Sequence, residues 1–187
     1  MSRNIEIEAK SLIDEKSYRK LIKGKESEIY TQINYYIDTK SFDIHERKMG
    51  LRVREKDNAF ELTLKLKKDE GKLEINQDIA SNEFYEFKHL HRFPNGEVKE
   101  TLIELGIDID SLYIFTVLTT KRLDISYKEC LISIDESSFN GIVDHEVECE
   151  SDSMENAKSA LIEFLNKYEV PYQENFVSKL KRARDSL

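Results

Sequence analysis

The sequence predicts an α+β fold: about eight mostly hairpin-linked strands forming an antiparallel sheet or barrel, with helices inserted between them. Three observations carry this. Polar and apolar residues alternate with period two over much of the chain, the mark of strands with one wet and one dry face. Residue pairs that tolerate positive φ, Asp57-Asn58 and Asn140-Gly141, sit between alternating runs as hairpin turns. Helical spacing appears only in short intervening stretches.

Taken in order, the alternation marks strands over Ile5 to Lys10, Glu28 to Asp38, Gly50 to Lys56, Ala59 to Lys67, Leu73 to Ile79, Ile114 to Ser126, Glu129 to Asp135 and Val143 to Glu150. Asp14 caps a helix that buries Tyr18, Leu21 and Ile22. A second helix near Asn82 to His91 sets Phe84, Phe87 and Leu90 on one stripe. Pro94-Asn95-Gly96 breaks the chain before a helix carrying Val98, Leu102 and Leu105, which ends at Gly106. Asp152 with Glu155 forms a capping-box pattern ahead of Ala157, Leu161, Phe164, Leu165 and Tyr168. Pro171 stops that helix, and a last short one runs from Ser178.

The 187 residues suit a single domain, 1–187, large enough to fold without a disulfide or metal staple. A net charge of −8 argues against a broad nucleic-acid grip, which needs a basic face. Cys130 and Cys149 lack C-x-x-C spacing, which points away from structural zinc and towards a reducing cytosol. Neither a signal core nor a membrane-length apolar run is present, so the expectation is a soluble cytoplasmic protein with no membrane partner.

Parity along each strand shows which charges share a face. Glu6, Glu8 and Lys10 fall together, as do Arg52 and Arg54; Glu61, Thr63, Lys65 and Lys67; Lys72, Glu74, Asn76 and Asp78; and Asp144, Glu146, Glu148 and Glu150. A solvated face over a helix-packed one is the plain explanation for any single strand. The segregation by sign calls for more, because acids in alternation repel unless a cation answers them. A divalent ion with oxygen ligands supplies that cation, and paired Arg and Lys form the complementary cradle for a polyanion. Together these are the parts of metal-assisted phosphoryl transfer.

The order of these motifs resembles the CYTH superfamily, the triphosphate tunnel metalloenzymes. Glu6-Ile7-Glu8-Ala9-Lys10 matches its E-x-E-x-K pattern, and Tyr35-Tyr36-Ile37-Asp38-Thr39 is similar to its Y-[YF]-D-T segment, with Ile37 as a small departure. Leu51-Arg52-Val53-Arg54 and Thr63-Leu64-Lys65-Leu66-Lys67 look like its L-R-x-R and T-x-K-x-K strands. Glu74, Arg122 and Asp135 follow in similar contexts, then Glu146-Val147-Glu148-Cys149-Glu150, and Ser178-Lys179 with Arg182 resembles a terminal S-K-x-x-R.

The resemblance implies an eight-stranded antiparallel β-barrel, a tunnel with a charged interior and helices packed outside. It further implies Mg²⁺ or Mn²⁺ held by Glu6, Glu8, Glu146, Glu148 and Glu150. Arg52, Arg54, Lys67, Arg122, Lys179 and Arg182 would bind the substrate phosphates. Lys10, Lys65 and Tyr36 are assigned to catalysis, although Tyr35 and Tyr36 have opposite parity and parity does not say which faces inward. Glu74, Asp135 and Asp144 either touch metal or pair with neighbouring Arg or Lys. His45, His89, His91 and His145 read as structural or exposed. The implied partner is a small-molecule triphosphate and the implied reaction its hydrolysis, with inorganic triphosphate favoured over thiamine or nucleoside triphosphate. The alternatives are a class IV-type adenylyl cyclase and a non-catalytic polyphosphate or nucleotide-binding module.

Overall fold

The computed structural model describes residues 2–68 and 71–187. Among these the chain runs β1 (Ser2–Glu6), β2 (Glu8–Ile13), α1 (Glu15–Ile22), β3 (Tyr30–Asp38), α2 (Asp43–Glu46), β4 (Gly50–Lys56), β5 (Ala59–Lys67), β6 (Lys72–Ile79), α3 (Ser81–Leu90), α4 (Glu97–Glu104), β7 (Tyr113–Tyr127), β8 (Cys130–Phe139), β9 (Ile142–Glu150), α5 (Met154–Lys167) and α6 (Lys179–Asp185). The hydrogen-bonded strand order is β1-β6-β5-β4-β3-β7-β8-β9-β2. The ladders β2–β9, β3–β4, β4–β5, β5–β6, β7–β8 and β8–β9 are all antiparallel, so the fold is α+β. No helix among the described residues is long and apolar enough to cross a membrane.

The described strands number nine, where eight were expected, because the first predicted strand is two. β1, the neighbour of β6, ends at Glu6, and β2 pairs with β9 from Glu8 onward. Ile7 between them offers its carbonyl to the Ser151 N–H.

Two compact units form, and each builds its own core. The first comprises the residues up to Ile5 together with Gln32–Leu118. Asp57 (φ 51°) and Asn58 (φ 63°) both adopt the left-handed conformation that a two-residue hairpin demands, and they set Lys56 opposite Ala59. Counting back from this turn, Leu51, Val53, Leu62 and Leu64 share a face, which packs on Phe84, Phe87, Val98 and Leu102 of α3 and α4. A Cβ at Gly96 (φ 129°), ahead of α4, would lie 2.4 Å from Gln77 Oε1 and force the Gln77 amide to shift. Gln77 in turn donates to the Asn95 carbonyl at 2.6 Å. The stripe predicted for α3 holds for Phe84 and Phe87 but not for Leu90, which is exposed. The chain leaves the helix at His91 (φ 55°), and Phe93 takes the core position, edge-on to Phe87.

The second unit comprises Glu6–Thr31 and Thr119–Leu187. Asn140 (φ 46°) and Gly141 (φ 79°) turn β8 into β9 with Phe139 opposite Ile142. Ala9, Leu123, Ile132, Ile134, Val147 and Cys149 form the apolar face, covered by Tyr18 and Leu21 of α1 and by Ala157, Leu161, Phe164 and Leu165 of α5. Asp14 caps α1 by accepting from the Ser17 N–H at 2.7 Å. The cap of α5 is Ser153, which accepts from the Asn156 N–H, while Asp152 accepts from the Asn156 side chain instead; this corrects the predicted Asp152–Glu155 box. His145 lies on the helix-covered face, its ring 4.6 Å from Tyr18, in the structural role expected of it.

Candidate active site

The charged face of the second unit is set by strand register. Glu146 lies opposite Asp135 on β8 and Leu12 on β2, and Glu148 lies opposite Ser133 and Lys10. Arg122 on β7 lies opposite Asp135. Directly paired residues project to the same side, so these charges converge. Asp135, Glu146 and Glu148 each bring a carboxylate oxygen within 4.8 Å of the others, and Asp135 and Glu146 are fully buried.

Four cations hold the three acids. Arg122 grips Asp135 bidentately, Nε to Oδ1 at 2.7 Å and Nη2 to Oδ2 at 2.6 Å, and also donates to Glu148 Oε2 at 2.6 Å. Lys10 Nζ meets Glu148 Oε1 at 2.8 Å and Glu8 Oε1 at 2.9 Å. From α6, Lys179 Nζ lies 2.7 Å from Asp135 Oδ2 and 2.9 Å from Glu148 Oε1, and it also contacts Glu146 Oε1. Arg182 Nη2 donates to Glu146 Oε2 and Nε to Asp144 Oδ2, both at 2.7 Å. Lys179 and Arg182 are i and i+3 on one helix, so they reach the same side. Helix α6 is fixed by its Ser178 cap, which accepts from the Lys181 N–H, and by Asn140, which donates to the Ala183 carbonyl.

These pairs set the protonation states. Burial alone would raise the Glu148 carboxyl, but Lys10, Lys179 and Arg122 hold it well below the usual range. Burial wins at Glu146, whose carboxyl is pushed up despite Lys179, with Glu148 adding to the rise. Burial opposes the charge on Lys10 and Lys179 too, yet neighbouring carboxylates raise both.

The first unit carries a second charged face. Arg52 lies opposite Tyr36 on β3 and Thr63 on β5, and Arg54 opposite Asn34 and Glu61. Lys65 lies opposite Glu74 and forms an ion pair with it. The Arg52 Nε is buried without a hydrogen-bond partner. Register resolves the two tyrosines. Tyr36 shares the face of Arg52, whereas Tyr35 packs 4.7 Å from Phe84. The Tyr35 hydroxyl donates to Glu55 and is pushed up to about 12 by burial and by that carboxylate.

Of the predicted site residues, Lys10, Arg122, Glu146, Glu148, Lys179 and Arg182 come together in the second unit, with Glu8 reached through Lys10. Arg52, Arg54, Lys65 and Tyr36 share the face in the first, and Lys67 is exposed towards the end of β5. Glu6 ends β1 ahead of the break at Ile7, and Glu150 is exposed at the end of β9; neither belongs to the three-carboxylate group. Asp135 takes a place in that group while also pairing with Arg122 and Lys179. Glu74 and Asp144 pair with Lys65 and Arg182. Sequence reading missed Asn175, which donates to Glu146 Oε2 at 3.2 Å from a loop with no regular period to expose it. Three hard oxygen donors, two of them fully buried, suit a hard divalent ion.

The CYTH domain matches residues 4–183. YjbK of Bacillus subtilis (strain 168), named as a triphosphatase, is 31% identical over 179 residues, covering 93% of this chain and 92% of that protein. A crystal structure from Bacillus halodurans that carries an adenylate cyclase name superposes with a TM-score of 0.90 at 34% identity, over 97% of this chain and 98% of that one. A Hippeastrum protein, called an adenylyl cyclase and described as having a dominant triphosphatase activity, shares the fold at 21% identity and a TM-score of 0.77, over 97% and 96% of the two chains. This chain belongs to the CYTH domain family.

Proposed function

We propose that the protein is a divalent-metal-dependent triphosphatase acting on a small triphosphate, inorganic triphosphate first. The observation that carries this reading is the cluster of Asp135, Glu146 and Glu148 interleaved with Lys10, Arg122, Lys179 and Arg182. The 31% identity to a protein named as a triphosphatase supports it.

The three carboxylates would hold Mg²⁺ or Mn²⁺, with Glu6, Glu8 and Glu150 as candidate outer ligands. Such an ion, when bound, supplies a Lewis acid at phosphoryl oxygens and a water of lowered pKa. Arg122 and Arg182 keep the acids oriented, so little reorganisation is needed when substrate arrives. Lys10 and Lys179 are proposed to take phosphate oxygens, since a lysine ammonium swings freely between partners. On the face of the first unit, Arg52, Arg54, Lys65 and Lys67 are proposed phosphate ligands, with the Tyr36 hydroxyl beside Arg52. The unpartnered Arg52 Nε supports that part of the reading, because a buried donor without an acceptor is costly unless a ligand supplies one.

The adenylate cyclase name of the 34%-identical Bacillus halodurans protein supports a second reading, in which a ribose hydroxyl attacks the α-phosphorus and diphosphate leaves. Product analysis separates the two. Purified protein is incubated with inorganic triphosphate, thiamine triphosphate and ATP, each with Mg²⁺ or Mn²⁺. Released phosphate is the expected result. Cyclic AMP with diphosphate would establish the cyclase, and binding without turnover would leave a non-catalytic module.

A further inference from the structure

Each cation of the second unit's cluster has a different set of partners. Arg122 takes Asp135 and Glu148, Arg182 takes Glu146 and Asp144, and Lys10 takes Glu148 and Glu8. Of these four, Lys179 is the one seated against Asp135, Glu146 and Glu148 together. A divalent ion bound by those carboxylates would use the same oxygens. The Lys179 ammonium is already within hydrogen-bond distance of the same oxygens, so the two cations contend for the same space and repel each other there.

The four cations are not equally able to leave. Arg122 and Arg182 are anchored by forked contacts to carboxylates on β8 and β9. Lys179 ends a flexible four-carbon stem, and its helix is tied down independently by the Ser178 cap and by the Asn140 contact to Ala183. Its ammonium can therefore depart while α6 stays in place.

We propose that Lys179 is an exchangeable counter-cation of the carboxylate cluster: its ammonium and a divalent ion occupy the cluster alternately, and the displaced ammonium becomes a phosphate ligand. This rests on the metal-dependent reading above and adds a regulatory consequence to it. Metal binding alone must evict a cation, which weakens it. A triphosphate that accepts the evicted ammonium removes part of that cost, so metal and substrate tighten each other's binding by linkage. Free metal without substrate would then be held loosely.

The test is a calorimetric Mn²⁺ titration, without substrate, of wild type, Lys179→Met and Lys181→Met. Lys181 is an exposed lysine of the same helix, paired with Asp185, and serves as the charge control. The expected result is binding at least about tenfold tighter in Lys179→Met than in wild type. Lys181→Met should stay within about twofold, as solvent-exposed pairs contribute little. Equal affinity in wild type and Lys179→Met would overturn the exchange and leave the metal site standing. Absence of Mn²⁺ binding in all three would overturn the metal-dependent reading itself. Should Lys179→Met fail to fold, lysine acetylation of wild type read by mass spectrometry decides instead. The Lys179 side chain is 11% exposed, so its modification should be slow and should accelerate on saturation with Mg²⁺. Protection unchanged by Mg²⁺ would count against exchange.

Discussion

Asp135 shows how much a single buried carboxylate is asked to do. It is fully buried, gripped by Arg122 through both oxygens, touched by Lys179, and within reach of Glu146 and Glu148. Asp135→Asn keeps the shape and removes the charge, so Mn²⁺ affinity should fall together with turnover, by at least about a hundredfold in rate. Lys65→Ala should cost a similar factor of about a hundred while leaving Mn²⁺ affinity untouched, because Lys65 pairs with Glu74 and is assigned to phosphate binding. Steady-state kinetics beside metal titration checks both. Glu74 gives a pH signature. Burial would raise its carboxyl, but Lys65 and Arg52 together hold it below the ordinary range. A depressed folded pKa contributes stability above the unfolded value, about 4.3, and loses it as pH falls through the lower folded value. Urea midpoints of wild type and Glu74→Gln should therefore differ by a constant amount near neutrality and converge in acid below about pH 4. A difference that grew on acidification would contradict the ion-pair assignment.

At the scale of elements, the turns and caps decide which side chains meet. Ser178 holds the first turn of α6 and thereby places Lys179 and Arg182. Ser178→Ala should cost about 1 kcal/mol, seen as faster hydrogen exchange over residues 179–185. Gly96→Ala combines positive φ with a clash against Gln77 and should cost about 2 kcal/mol or more, lowering the urea midpoint. Strands and hairpins were legible because alternation with period two survives without tertiary information. The break at Ile7 was not, since Glu6, Glu8 and Lys10 keep even parity straight through it while the partner strand changes from β6 to β9. The start of α5 was ambiguous because Asp152 and Ser153 are adjacent and both can accept; only the backbone conformation chooses Ser153. The pairing of Asp135 with Glu146 was recoverable in principle. Counting outward from the Asn140-Gly141 turn places them opposite each other, with Asp135 on the same face as Asp144, Glu146 and Glu148.

For the whole molecule, a net charge of −8 coexists with a site in which the carboxylates Asp135, Glu146, Glu148, Glu8 and Asp144 face the cations Lys10, Arg122, Lys179 and Arg182. The composition conveys the acidic surplus and hides the local near-balance, which is why net charge argues against a broad nucleic-acid grip without revealing a phosphate site. Ligands that bind only the folded state stabilise it, by about 2.7 kcal/mol at a hundredfold excess over Kd. On the proposed reading, the carboxylates of Asp135, Glu146 and Glu148 make triphosphate cleavage depend on a divalent ion. The direct measurement is phosphate release from inorganic triphosphate as Mg²⁺ is titrated into chelator-treated wild type and into Glu146→Gln. The expected result is saturable activation of wild type from a near-zero baseline, and a rate at least about a hundredfold lower in Glu146→Gln at every Mg²⁺ concentration. Full wild-type turnover in excess chelator, or a Glu146→Gln variant that matches wild type, would contradict it.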